Sequence, residues 1–333
     1  MLNRNAEALF WIGRYMERAE NHARLIDVHF HLQDEDAPSV PRDGADGVPP
    51  ALCKWGRIVD ALGSRAAYEQ QYGGAYNEQD VVRYVTLDRD HANSLVTCVN
   101  HARDNVRTLR EKLPSELWDV ANGFYLWLRE KQAGDPARES PHQFFGRIKE
   151  WTALFCGVTQ SVMPRENEWH FIECGRYLER TENTLRIIQS AIAASASAAE
   201  AGDGCELYPY LQAVLRSVSG YQPFRRHYAD GVSADAIIEF LVLNEAFPRS
   251  VQFSLDALDE NLRGIELQEK QLRAAHDRIV RQVAKLKAEL ACLEREDLGL
   301  DREGAVTGRL LQAAGQLGTA FAHTFFRVGE ATA

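Results

Sequence analysis

The sequence has no long apolar run. No stretch of its 333 residues approaches the roughly 20 consecutive apolar positions a helix needs to cross a bilayer. The N-terminus mixes Arg4, Glu7, Arg14 and Glu17 into its apolar positions. That is an amphipathic helix and not a leader, so a cytoplasmic protein is expected. Cysteine is sparse and unpaired in spacing. Cys53, Cys98, Cys156, Cys174, Cys205 and Cys292 fit neither a disulfide scaffold nor a zinc site, and all six should be reduced. A basic face is missing too: the net charge is −10 and arginines are interleaved with acids, which argues against a nucleic-acid partner.

The motifs of common chemistries are also absent. There is no P-loop, G-x-G-x-x-G cradle, H-E-x-x-H zinc site or G-x-S-x-G elbow. The paired Glu-x-x-His of di-iron bundles is missing as well. His22, His29 and His31 are the nearest approach to a metal set, and Asp34-Glu35-Asp36 lead into a proline-rich stretch instead of facing another helix. No cofactor or metal is therefore expected. If ATP drives a pathway here, another polypeptide should bind it.

What is present is a helix that occurs twice. Gly13-Arg14-Tyr15-Met16-Glu17-Arg18-Ala19-Glu20-Asn21 recurs as Gly175-Arg176-Tyr177-Leu178-Glu179-Arg180-Thr181-Glu182-Asn183, a shift of 162. Apolar residues step by three and four on both copies: Leu9, Ile12, Met16, Ala19, Ala23 and Ile26, then Phe171, Cys174, Leu178, Thr181, Leu185 and Ile188. Beside this seam runs a polar stripe of Arg14, Glu17, Arg18 and Asn21, repeated as Arg176, Glu179, Arg180 and Asn183. Two further blocks repeat. Val81 to Ser94 matches Ile237 to Ser250 at a shift of 156, and Gly146-Arg147-Ile148 matches Gly308-Arg309-Leu310 at 162. A tandem duplication accounts for all three.

Two readings of the stripe stand side by side. One is an ion-pair network, Glu17 with Arg14 or Arg18 and Glu179 likewise, that sets how the halves dock. The other is a pocket offering guanidinium forks and carboxylates to a small acidic or zwitterionic ligand. In a third use, Glu17 or Glu179 would be a general base, with burial and a neighbouring arginine moving its pKa in opposite directions.

The opening Met1-Leu2-Asn3-Arg4-Asn5-Ala6-Glu7-Ala8-Leu9-Phe10-Trp11-Ile12-Gly13-Arg14-Tyr15-Met16-Glu17-Arg18 resembles the bacterial alpha-E domain proteins, a family of unknown function. Trp169-His170-Phe171 and Phe247-Pro248-Arg249-Ser250-Val251 are similar to further signatures of that family. The resemblance implies an all-helical protein. It also implies partnership with a circularly permuted ATP-grasp ligase, often beside a transglutaminase-like protein, in amide or peptide bond formation. It assigns no catalytic residue. Glu173 departs from the first copy, which has Trp11 at the matching position.

In chain order, helices are expected over residues 3–31, 52–68, 78–87, 90–111, from Pro114 through Leu128, and over 142–162. Residues 34–50 read as an acidic, proline-rich loop, and a polar turn is expected at 134–136. The aromatics Trp118, Phe124 and Trp127 belong to a core. A second set of helices follows at 168–195, 207–218, 233–243, 247–262, 266–296 and 303–328, with the small-residue run 191–204 as a loop. Asn77 and Ser233 suit N-caps. The charged helix 266–296 packs on its own bundle or forms a dimer seam, so a homo-oligomer is possible. Pro248 suits a helix start, which would leave Arg249 and Ser250 in a first turn favourable to anions; with Asn244 they form a candidate phosphate or carboxylate site.

The expected fold is all-α, about twelve helices in two pseudo-symmetric six-helix halves, 1–163 and 164–333, packed as one unit with the motif helices at the axis. The expected function is an accessory subunit of an ATP-grasp ligase that binds a carboxylate or amino-acid-like substrate, or the ligase itself. Catalysis by the chain alone and a purely structural role are the alternatives.

Overall fold

The computed structural model describes residues 3–35, 54–133, 140–201, 207–228, 231–299 and 304–326. The described residues form fifteen α-helices with no strand, and no helix among them is long and apolar enough to cross a membrane. The expected number was about twelve, and the differences have local causes. Helix α1 (Asn3–Glu35) runs slightly beyond its expected end. The rest of the proline-rich stretch, 36–50, lies outside the described residues, as does the turn at 134–136. The span 52–68 is two helices, α2 (Lys54–Ala61) and α3 (Arg65–Tyr72). Between them Gly63 turns with φ of 66°, a conformation L side chains resist.

Next come α4 (Glu78–Thr86), α5 (Leu95–Thr108), α6 (Ser115–Ala133) and α7 (Pro141–Val162). Helix α8 (Asn167–Ala201) continues through most of the small-residue run expected as a loop, because alanine is the best helix former. After α9 (Leu207–Ser217) a turn at Ser219, φ 57°, admits the unforeseen α10 (Tyr221–His227). The chain ends with α11 (Ala234–Leu243), α12 (Val251–Gly264), α13 (Lys270–Ala291), α14 (Arg295–Gly299) and α15 (Ala305–Phe321), which runs into one π-helical turn, Ala322–Phe326. Asn77 and Ser233 cap α4 and α11, their side chains accepting from the N–H groups of Asp80 and Ala236.

Helix α1 lies along α8. Helices α5 and α7 flank the first, and α12 and α15 flank the second. The predicted seam is the core between them: Leu9, Ile12, Ala19, Ala23 and Ile26 face Leu178, Thr181, Leu185 and Ile188, all fully buried. Phe124 and Leu128 are buried as expected, with Trp118 and Trp127 half-buried against them. Ile279, Val283, Leu286 and Leu290 of α13 turn onto their own bundle.

The motif glycines explain how closely the two helices approach. A Cβ on Gly13 would stand 2.0 Å from the Ile172 carbonyl oxygen, and one on Gly175 would stand 2.0 Å from the Phe10 carbonyl oxygen. Backbone meets backbone at both points, and the contacts are reciprocal. Gly13→Ala or Gly175→Ala should therefore destabilise by about 2–3 kcal/mol or more, through overpacking that backbone cannot relieve. Gly157→Ala, on exposed α7 surface with nothing within 4 Å of the new Cβ, should be neutral or stabilising by up to about 1 kcal/mol. Urea unfolding of the three variants checks this.

Candidate functional site

One turn past the glycine crossing, both motif glutamates are enclosed, Glu17 and Glu179 each at 2% exposure. A buried carboxylate needs a paired cation, and the pairing runs between helices. Glu17 accepts from Arg180 Nε at 2.8 Å and Nη2 at 2.6 Å. Glu179 accepts from Arg18 Nε at 2.7 Å and Nη2 at 2.8 Å. Both are bidentate forks, the strong form of this contact. The expected pairs within a helix, Glu17 with Arg14 or Arg18, do not form: Arg14 reaches across to Glu179 at 2.7 Å and Glu182 at 2.8 Å. Adjacent positions on a helix diverge by about 100°, so Glu17 and Arg18 cannot share a fork.

The repeated turn at 88–94 and 244–250 adds a second tier. Asn244 Oδ1 accepts from the N–H groups of Ala246 and Phe247, and its carbonyl accepts from Ser250 Oγ. Ser250 Oγ then caps α12 through Phe253 N–H at 3.0 Å. Helix α12 thus starts at Val251 and not at Pro248, and the anion-binding first turn expected at Arg249 and Ser250 does not form. Arg249 extends instead to Glu17 at 3.0 Å, Glu20 at 2.6 Å and Asn21 at 2.9 Å. At the first of the two turns, Asp88 takes Asp90 N–H, Ser94 caps α5, and Asn93 at the position of Arg249 accepts from Arg18. Asn183, the counterpart of Asn21, is buried on α8.

Electrostatics follow from this geometry. Burial pushes Glu17 up, but Arg180 and Arg249 overcome it and hold the carboxyl at about 2. Glu179 is held well below the ordinary range against the same burial by Arg18 and Arg14. Such carboxylates are weak bases. Burial beside Arg18 pushes the His22 imidazole down to about 3.

The two copies of the motif differ at Arg176, the counterpart of Arg14. With Arg249 on Glu17 and Glu20, Arg176 turns to Glu173, Cys156 of α7 (2.6 Å) and the Tyr177 hydroxyl (2.9 Å). In the first copy Arg14 lies over the Trp11 ring, 5.6 Å from its centroid. Glu173 is shorter than that indole, and beside it a cavity of about 30 Å³ opens, walled by Glu173, Arg176, Cys156, Thr152, Thr159 and Glu20, by the Glu17–Arg180 fork, and by apolar Gly13, Met16, Phe155 and Ile172. Glu173 is the one acid here whose pKa is raised, by burial that Arg176 and Arg180 only partly offset.

The sequence reading did not single out Glu20, Glu182 or Cys156, although both glutamates repeat within the motif. It also passed over Asp27, whose buried carboxylate takes His142 Nδ1 at 2.8 Å and Lys149 Nζ at 2.5 Å and so ties α7 to α1. Among the described residues no three His, Cys, Asp or Glu side chains converge as a metal ion would require. Cys98, Cys156, Cys174 and Cys292 are free thiols, and Cys53 and Cys205 lie outside the described residues.

Residues 1–326 match the family Alpha-E, described as a predicted alpha-helical domain with a conserved ER motif. The chain belongs to the Alpha-E family. It carries a Glu-Arg pair in each copy of its repeat, Glu17-Arg18 and Glu179-Arg180. Uncharacterised proteins of Mycobacterium bovis and Mycobacterium tuberculosis are 24% identical over 274 residues, 77% of this chain and 29% of theirs. The Alpha-E chain thus spans about 29% of the length of the curated relatives it matches. No solved structure matches.

Breaking one fork should leave a buried guanidinium without its partner. Glu17→Gln is expected to destabilise by about 3–5 kcal/mol near neutral pH. Because the Glu17 pKa is depressed, its stabilisation is present above the ordinary value of 4.5 and fades as the pH falls toward about 2. The stability gap between wild type and Glu17→Gln should close over that window in paired urea titrations.

Proposed function

We propose that this Alpha-E chain is a non-hydrolytic accessory subunit of an ATP-grasp ligase system that forms amide or peptide bonds. The observation that carries the reading is the neutralisation of the duplicated stripe. Glu17, Glu20, Glu179 and Glu182 are each matched by a guanidinium, and six of those pairings cross between elements. A stripe closed on itself in this way is a rigid lock between two duplicated, pseudo-symmetric halves, and it offers no free acid–base pair for turnover. Its role is to hold a fixed helical surface and the cavity beside Glu173 in register for a partner. The sequence carries no nucleotide cradle, so in this reading the partner binds the ATP. That the matched segment is a minor part of longer relatives fits a unit that works beside other domains. A stand-alone enzyme using Glu17 or Glu179 as a base is the weaker reading, since both are held ionised by two arginines each.

The test is reconstitution with the ATP-grasp ligase encoded nearest to this protein. The tagged chain should co-elute with the ligase, show no ATP turnover alone, and raise amino-acid-dependent ADP release when added to it. ATP hydrolysis by the chain alone, or a ligase indifferent to it in both elution and rate, would contradict the proposal.

A further inference from the structure

The cavity beside Glu173 lies where the two copies of the motif differ most. In the first copy Arg14 is saturated by Glu179 and Glu182 and covered by Trp11. In the second, Arg249 has taken over Glu17 and Glu20, and Arg176 is released to the cavity wall. Its contact with Glu173 looks self-sufficient but leaves both partners short. Arg176 Nε is buried and has no acceptor. Glu173, 1% exposed, takes one guanidinium nitrogen where Glu17 and Glu179 each take a full fork, and its carboxyl stays above the ordinary range because burial is only partly compensated. Arg176 keeps one N–H without an acceptor, and Glu173 keeps a single guanidinium contact where a buried carboxylate elsewhere in the motif has a fork.

A lone anion would satisfy Arg176 and repel Glu173; a lone cation would do the reverse. A zwitterion supplies both and adds no net charge to a buried site, the arrangement that low-dielectric surroundings tolerate. The site is also small. About 30 Å³ holds one or two waters, a scale that excludes a nucleotide or a sugar and leaves only a compact head group in reach of Glu173 and Arg176. Cys156, Arg176 and Glu20 on the wall are half-buried, so solvent reaches it.

We propose that this cavity binds the ammonium–carboxylate head group of a free α-amino acid, with Arg176 receiving the carboxylate and Glu173 the ammonium. The inference deepens the accessory-subunit reading by naming what the subunit holds. It is tested on the isolated full chain, so either can fail while the other stands.

The experiment is a calorimetric titration with glycine, the smallest probe with both charges, paired with iodoacetamide labelling of Cys156 followed by peptide mass spectrometry. Exposed Cys292 is the internal reference for the labelling. Glycine should bind and slow Cys156 labelling without affecting Cys292, whereas acetate or methylammonium at the same concentration should do neither. Glu173→Gln keeps the side-chain shape and should weaken glycine binding about tenfold, the loss of one charge-assisted contact. No heat and no protection with glycine would overturn the proposal. So would acetate binding as well as glycine, or a folded Glu173→Gln variant that binds like wild type.

Discussion

The structure depends on a single constraint: two helices meet backbone to backbone at Gly13 and Gly175, and the charged residues that follow are carried into the interior with them. At that separation a glutamate one turn on cannot reach water. It must be neutralised by whatever faces it, and what faces it is the arginine of the other copy. Glu17 with Arg180 and Glu179 with Arg18 are thus one interaction made twice. The apolar seam supplies the adhesion and the forks supply the register. Sliding either helix by one turn would strand buried charges, a penalty of several kcal/mol that apolar packing alone would not impose.

A motif that occurs twice makes such a lock self-complementary, and the two copies also differ. Trp11 and Glu173 occupy matching positions, as do Asn93 and Arg249. The two differences belong together. Once Arg249 engages Glu17 and Glu20, Arg176 no longer has to, and a glutamate in place of the indole gives it a partner beside a cavity. The first copy spends its arginine on two acids across the crossing; the second leaves one at the edge of a cavity.

Much of this was legible in the residues. The repeat marked α1 and α8, the three-and-four spacing marked the seam, and Asn77 and Ser233 marked two helix starts. Pro248 misled because proline tolerates a helix start without requiring one; Asn244 gathers the N–H groups of Ala246 and Phe247 into a turn, and Ser250 becomes the cap. The alanine run after Ile192 read as a loop because its residues are small, although small residues without β-branching are what a helix prefers. The cross-pairing of the stripe was out of reach from periodicity, which shows that residues share a face but not what that face meets. The repetition of Glu20 as Glu182 did not give it away, because Arg24 and Arg186 repeat with them one turn on and pair with them locally as well.

The central claim is that the two buried motif glutamates, Glu17 and Glu179, couple between helices and not along them. A double-mutant cycle on unfolding free energy measures this directly, with Glu17→Gln and Arg180→Gln forming one cycle and Glu17→Gln and Arg18→Gln the other. The account predicts a coupling of about 2 kcal/mol for Glu17 with Arg180 and no more than about 0.5 kcal/mol for the neighbours Glu17 and Arg18. Additive effects in the first cycle, or the larger coupling in the second, would contradict it.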